Sequence, residues 1–123
     1  MKTNEIYQCT NGLTVEILAD SNCKPECCGR PLELVEEKTA DSATEKHVPI
    51  LEAKGNGIKI VVGSTAHPMT EEHYIMWIEV INGDYVNRKY LKPGDTPEAE
   101  FYVPAQDGLI VRSYCNLHGL WKG

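Results

Sequence analysis

Four histidines and five cysteines are the residues of this 123-residue chain with the strongest aptitude for chemistry. The closing stretch SYCNLHGLWKG, Ser113 to Gly123, sets Cys115 three residues before His118 and flanks the pair with glycine and tryptophan. The other histidines are spread out: His47 opens a strand-like run, His67 sits in TAHPM, and His73 opens HYIMWIEVI. Any one of them alone reads as an ordinary surface or core histidine. All of them at strand ends and turns, with a cysteine near the last, argue for one shared metal site, because such positions can converge at one end of a rigid scaffold. Imidazole together with thiolate suits zinc, copper or iron. Structural zinc closes a tetrahedron of four ligands, so four histidines plus a cysteine are one too many. Four nitrogens around a plane with a thiolate on the axis would leave a sixth position open, an arrangement for redox-active iron that must accept a small ligand.

The elements that must position these donors read as strands. HVPILEAK and GIKIVVGS flank Gly55-Asn56-Gly57, a hairpin signal. HYIMWIEVI, rich in sheet-favouring residues, runs into the turn Asn82-Gly83-Asp84. YVNRKYL, a turn at Lys92 to Asp95, EAEFYVP, a turn at Gln106 to Gly108 and LIVRSYC complete the pattern. Strands at this regular spacing predict an all-β fold, an antiparallel β-sandwich. Trp77, Tyr114 and Trp121 lie within such runs and are expected to pack rather than to form a binding platform. Ahead of the sandwich, YQCTNGLTVEIL carries the turn Asn11-Gly12 beside a β-branched run, and CKPECCGRPLELV is punctuated by Pro25, Gly29 and Pro31. The expected division is therefore a Cys-containing hairpin module over 1–36 and the sandwich over 37–123, with EEKTADSATEK between them as a linker or exposed loop.

Composition removes several classes of function. The formal net charge is −6, from 18 acidic and 12 basic residues, which argues against a nucleic-acid backbone or an anionic membrane as partner. A small anionic substrate would need a local positive group acting against that field. No apolar run approaches the roughly 20 residues that span a bilayer. MKTNEIYQC lacks the features of a signal peptide, so a cytoplasmic location is expected. Cys9, Cys23, Cys27 and Cys28 crowd into the first quarter of the chain. In a reducing compartment such a cluster more often binds metal than forms disulfides, and adjacent Cys27 and Cys28 cannot readily bond to each other.

Four stretches carry a specific resemblance: EKHVP (Glu45 to Pro49), GSTAHPMTEEHYIMWIE (Gly63 to Glu79), LKPG (Leu91 to Gly94) and YCNLHGLW (Tyr114 to Trp121). In order and spacing the chain from about Thr39 onward resembles the superoxide reductases, the desulfoferrodoxin and neelaredoxin family. The resemblance implies an immunoglobulin-like sandwich carrying one iron with four equatorial imidazoles and an axial thiolate. Carried over residue by residue, the ligands are His47, His67, His73, His118 and Cys115. It further implies one-electron reduction of superoxide to hydrogen peroxide, with Lys46 supplying local positive charge and Glu45 matching a glutamate that occupies the sixth position of ferric iron. A small electron donor such as rubredoxin and a homodimer follow from the same resemblance. The rival readings are a superoxide dismutase and an iron-binding electron-transfer module without catalysis.

Two-iron members of the family carry a desulforedoxin-like module in front, where one iron is held by a Cys-x-x-Cys pair and two adjacent cysteines. Here Cys9 and the Cys27-Cys28 pair match, but CTNGL has no cysteine where the second member of the first pair belongs. Cys23 is a candidate replacement, and four thiolates would suit iron or zinc equally. The competing expectation is a relic module without metal.

Overall fold

Asn11-Gly12 closes the first hairpin as its composition predicts. Gly12 takes φ 93°, a conformation glycine adopts without strain, between β1 (Ile6–Gln8) and the antiparallel β2 (Thr14–Glu16). A second hairpin pairs β3 (Glu26–Cys27) with β4 (Arg30–Pro31). Its turn residues Cys28 and Gly29 have φ of 54° and 75°, the paired positive angles of a type I′ turn, whose twist matches that of the strands. β5 (Glu33–Leu34) returns to pair with β1, giving the order β2-β1-β5. The computed structural model describes residues 1–40 and 46–123. These five short strands make up the first of two compact units, Met1–Glu36, in which Ile6 and Cys9 are the only buried residues.

The second unit, Glu37–Gly123, uses longer strands. β6 (Pro49–Lys54) and β7 (Gly57–Val62) form a hairpin whose first turn residue, Gly55, has φ 57°. β8 (Ile75–Asn82) and β9 (Tyr85–Tyr90) form another around Gly83-Asp84. β10 (Glu98–Phe101) joins the free side of β7, while β11 (Ile110–Cys115) joins β8 and in turn receives β12 (Gly119–Lys122). Two antiparallel sheets result, β10-β7-β6 and β12-β11-β8-β9. The period-two pattern of GIKIVV explains how they stack. Ile58, Ile60 and Val62 are 1%, 0% and 0% exposed, whereas Lys59 and Val61 between them are only half-buried. The inward set meets Ile78 and Val80 of β8, Ala99 of β10, and Val111 and Cys115 of β11. Each such aliphatic side chain contributes about 1.5–3 kcal/mol by leaving water. The chain is thus the all-β, immunoglobulin-like sandwich expected, with no helix among the described residues and none long and apolar enough to cross a membrane.

Two features of the four-stranded sheet exceed what the strand pattern predicts. Arg112, Glu79 and Arg88 stand in register across β11, β8 and β9. Glu79, fully buried, accepts from Arg88 Nε at 2.8 Å and Arg112 Nε at 2.9 Å, and Arg112 Nη1 also lies 3.8 Å from Glu37. The second feature is a slip in register: Tyr114 faces Trp77, but Cys115 faces Ile75, leaving Met76 as an extra residue on β8. Trp77 and Tyr114 stack with centroids 5.6 Å apart and are buried, the packing role expected of them. The expected linker needs one correction. Lys38 is not in free loop but forms a parallel bridge to Trp121, with its amide bonded to Leu120 O and its carbonyl to Lys122 N.

Candidate metal centre

His47 precedes β6, His67 and His73 lie in the loop from β7 to β8, and Cys115 and His118 bracket the turn from β11 to β12. Local bonds aim each of them. The buried Ser113 hydroxyl donates to the His47 carbonyl at 3.2 Å. His67 N–H donates to Val62 O at 3.3 Å, turning the chain back at the end of β7. Thr70 and His73 exchange backbone bonds of 3.0 and 3.2 Å, a tight turn that presents the second histidine. Asn116 ties this loop to the cysteine turn. Its carboxamide accepts from Tyr74 N at 2.9 Å and donates to Glu72 O at 3.0 Å, gripping the residues on either side of His73. The LKPG turn contributes from behind, since Gly94, at φ 92° after Pro93, donates its N–H to Met69 O at 2.8 Å.

The side chains so held converge. Ligand atoms of His47, His67, His73 and Cys115 all lie within 4.8 Å of one another, and His47, His67 and Cys115 are buried. The four imidazoles close a ring: centroids are 4.7 Å apart for His47 and His67, 4.6 Å for His67 and His73, 5.0 Å for His73 and His118, and 4.9 Å for His118 and His47. Across the ring His47 and His73 are 6.1 Å apart. Four groups on a regular tetrahedron would be equidistant, so the longer His47–His73 separation departs from that arrangement. Neighbouring planes are tilted by 64° to 83°, and the opposed pair by 37°. His118 is the most exposed of the five and joins through Nδ1, which lies 3.0 Å from His47 Nε2 and 3.9 Å from Cys115 Sγ. His67 Nδ1 donates to Pro68 O at 2.7 Å, which leaves its Nε2 lone pair for a metal. Imidazoles gathered beside a buried thiol are a donor set that fits iron.

The neighbourhood of the ring contains residues that sequence reasoning passed over. Trp121 lies flat on His47, with centroids 4.4 Å apart and planes 12° from parallel, so its packing role falls on a ring member. Lys46 is half-buried, and its backbone rests on Gly63: a Cβ there would stand 2.4 Å from the Lys46 carbonyl oxygen and 2.9 Å from Lys46 Cβ. Gly63 also has φ 91°, so the turn before His67 both requires glycine and fixes the backbone beside His47. Asn116, Trp121 and Gly63 all sit in the stretches whose resemblance was noted, but their contacts depend on strand register and left no separate signal. Glu45 lies outside the described residues.

The N-terminal cysteines are arranged differently. Cys9 is buried, Cys27 half-buried, and Cys23 and Cys28 exposed, and none is in a disulfide. Cys9 Sγ is hydrogen-bonded to the Asn11 carboxamide oxygen, and Cys27 Sγ lies 3.8 Å from Cys28 Sγ. Bonds from Asn11, Cys27 and Leu13 pull the Cys9 thiol below its ordinary value against the effect of burial. Cys27, donating toward Cys9 and then Cys28, is pushed up to about 11. Among the described residues the His/Cys/carboxylate grouping suited to a metal is His47, His67, His73 and Cys115.

Known proteins give the ring a context. Residues 39–123 match the family described as Desulfoferrodoxin. A desulfoferrodoxin of Nitratidesulfovibrio vulgaris is 51% identical over 119 residues, covering 96% of this chain and 94% of its own. A superoxide reductase of Thermococcus kodakarensis is 33% identical over 69% of this chain and 90% of its own. Among solved structures, the superoxide reductase from Treponema pallidum superposes with a TM-score of 0.77 at 32% identity, covering 97% of this chain and 96% of that one.

Proposed function

The chain belongs to the desulfoferrodoxin family, and from that premise we propose that it is a superoxide reductase whose iron is held by His47, His67, His73, His118 and Cys115. The observation that carries this reading is the closed ring of four imidazoles beside the buried Cys115 thiol. These residues would hold ferrous iron, which would supply the one electron for reduction of superoxide, with two protons completing hydrogen peroxide. The protein's part is to hold the donors before the metal arrives. His67 keeps one nitrogen committed to Pro68 O, and Asn116 keeps the His73 loop against the Cys115 turn. Burial of Cys115 removes its sulfur from water and so would strengthen its electrostatic effect on a metal held there.

Lys46 is the proposed guide for the anion, set against a chain of net charge −6. Its half-buried position, pinned at Gly63 one residue before His47, supports that role. Glu45, beside it in sequence, is the proposed carboxylate of the sixth position. Replacing Lys46 with alanine should slow the reaction with superoxide by about tenfold and remove its salt dependence, while iron stays bound. An unchanged rate takes Lys46 out of the mechanism.

Stoichiometry tests the whole reading. Pulse-generated superoxide should be consumed with oxidation of an external reductant such as reduced rubredoxin and with no release of dioxygen. Dioxygen release would instead identify a dismutase. Activity that survives His118→Ala but not Cys27→Ser would identify an electron-transfer module.

For the N-terminal cysteines the reading is the relic module, because CTNGL lacks the second cysteine of the first pair, so purified protein should hold one iron per chain. A tetrathiolate iron or zinc spectrum would overturn this. A cytoplasmic location belongs to the same reading. β6 is an edge strand exposing Ile50 and Leu51, which supports pairing with a second copy in a homodimer; sedimentation would measure it.

A further inference from the structure

Lys38 belongs to no motif and falls in the stretch that reads as a linker, yet several contacts converge on it. Its backbone is stitched to β12: Lys38 N–H donates to Leu120 O at 3.0 Å, and Lys122 N–H donates to Lys38 O at 2.8 Å. From that anchored position the ammonium reaches two components of the metal centre. Nζ donates to the carbonyl of His118 at 2.9 Å and stands 5.2 Å from the centroid of the Trp121 ring. Trp121 is in turn the ring that stacks on His47 at 4.4 Å. The Trp121 indole N–H is buried and makes no hydrogen bond among the described residues, so the ring is fixed through its π faces, and a cation is one of the groups that fix it.

We infer that Lys38 is a positioning residue of the metal centre, holding His118 through its carbonyl and His47 through Trp121 while placing a positive charge behind both. The inference rests on the reading of those histidines as ligands. Two physical effects follow. The tether restrains His118, the most exposed of the proposed ligands and the one with least packing to hold it. The charge favours the form of the centre carrying less positive charge, so it raises the tendency of ferric iron to accept an electron. An ordinary solvated lysine would do neither. Its side chain would extend into water rather than return 80 residues along the sequence to one particular carbonyl.

The test uses the full chain loaded with iron and compares Lys38→Met, Lys38→Arg and Lys38→Glu. Lys38 is exposed, so the variants should fold, which circular dichroism verifies; Lys38→Gln replaces the methionine variant if that one aggregates. All should show the thiolate-to-ferric charge-transfer band. The midpoint potential should fall in Lys38→Met, fall further in Lys38→Glu, and stay at the parent value in Lys38→Arg. At a fixed ambient potential the ferric-to-ferrous ratio should rise about threefold in Lys38→Met, the scale of one charge acting on the centre through a partly solvated medium. Removal of iron by a chelator should accelerate in the same order. A Lys38→Met protein with the parent potential and chelation rate overturns the inference while leaving the ligand reading intact. A parent protein without the charge-transfer band overturns the ligand reading and this inference with it.

Discussion

Both units of the chain present sulfur to a turn, and only the second brings histidines to it. In the N-terminal unit the cysteines sit in or beside strands of two or three residues, around a core in which Ile6 and Cys9 are the buried residues. In the sandwich, Cys115 ends a six-residue strand buried on both sides and faces histidines carried by two other segments. The difference shows what a metal site needs beyond ligand types. Long strands fix register across a sheet, register fixes which ends coincide, and hydrogen bonds such as those of Asn116 remove the remaining freedom. Two-residue strands fix very little. Cys9 finds a partner in Asn11, two residues away.

Mutations can break that contrast. The largest effect is expected from Glu79→Ala, which leaves Arg112 buried and Arg88 half-buried without their shared carboxylate. Removing one side of such a buried set costs about 3–5 kcal/mol, and iron should be lost along with the fold. Chemical denaturation monitored by tryptophan fluorescence measures it. Asn116→Ala should cost about 1–2 kcal/mol for two hydrogen bonds, but its main effect should be on the centre, with iron leaving several times faster on dialysis and the sheet spectrum unchanged. Loss of stability without faster loss of iron would mean that the clamp serves the fold alone. Cys27→Ser should alter neither iron content at the histidine ring nor superoxide reduction, and a drop in either would tie the two units together functionally.

The smallest effect concerns pH. The Lys54 ammonium hydrogen-bonded to Glu100 holds that carboxyl below its usual range. A depressed folded value stabilises above the unfolded pKa and loses its contribution as pH falls through the folded one. Both groups are exposed, so the thermal midpoint of Glu100→Gln should fall only slightly below that of the parent at neutral pH. In acid the two should coincide.

Much of this was legible in the sequence because strands of the sandwich advertise themselves by sheet-favouring runs at regular spacing and their hairpins by glycine, as at Gly55 and Gly83. The histidine and cysteine types carried the chemistry, and their motifs carried the family. What stayed hidden was lateral. Nothing in IMWIEVI says that Glu79 is enclosed by arginines from two neighbouring strands, since that depends on pairing over distances the local pattern does not encode. The same holds for Lys38, whose partner Trp121 is at the other end of the chain. In the N-terminal unit the hairpin turns were readable, but the mutual placement of the cysteines was not, because so few residues there are anchored by burial.

The slip opposite Tyr114 acts as a phase shifter. Along a strand odd and even residues look to opposite sides, and the extra Met76 exchanges the two sets for everything that precedes it. Ile75 therefore lies in the core cluster with Cys115, although Trp77, two residues on, stacks with Tyr114. Were Met76 to pair with Cys115 in unbroken register instead, Ile75 would turn to the opposite side. A surplus of one residue thus sets Ile75, at the root of the loop that carries His73, beside the thiol.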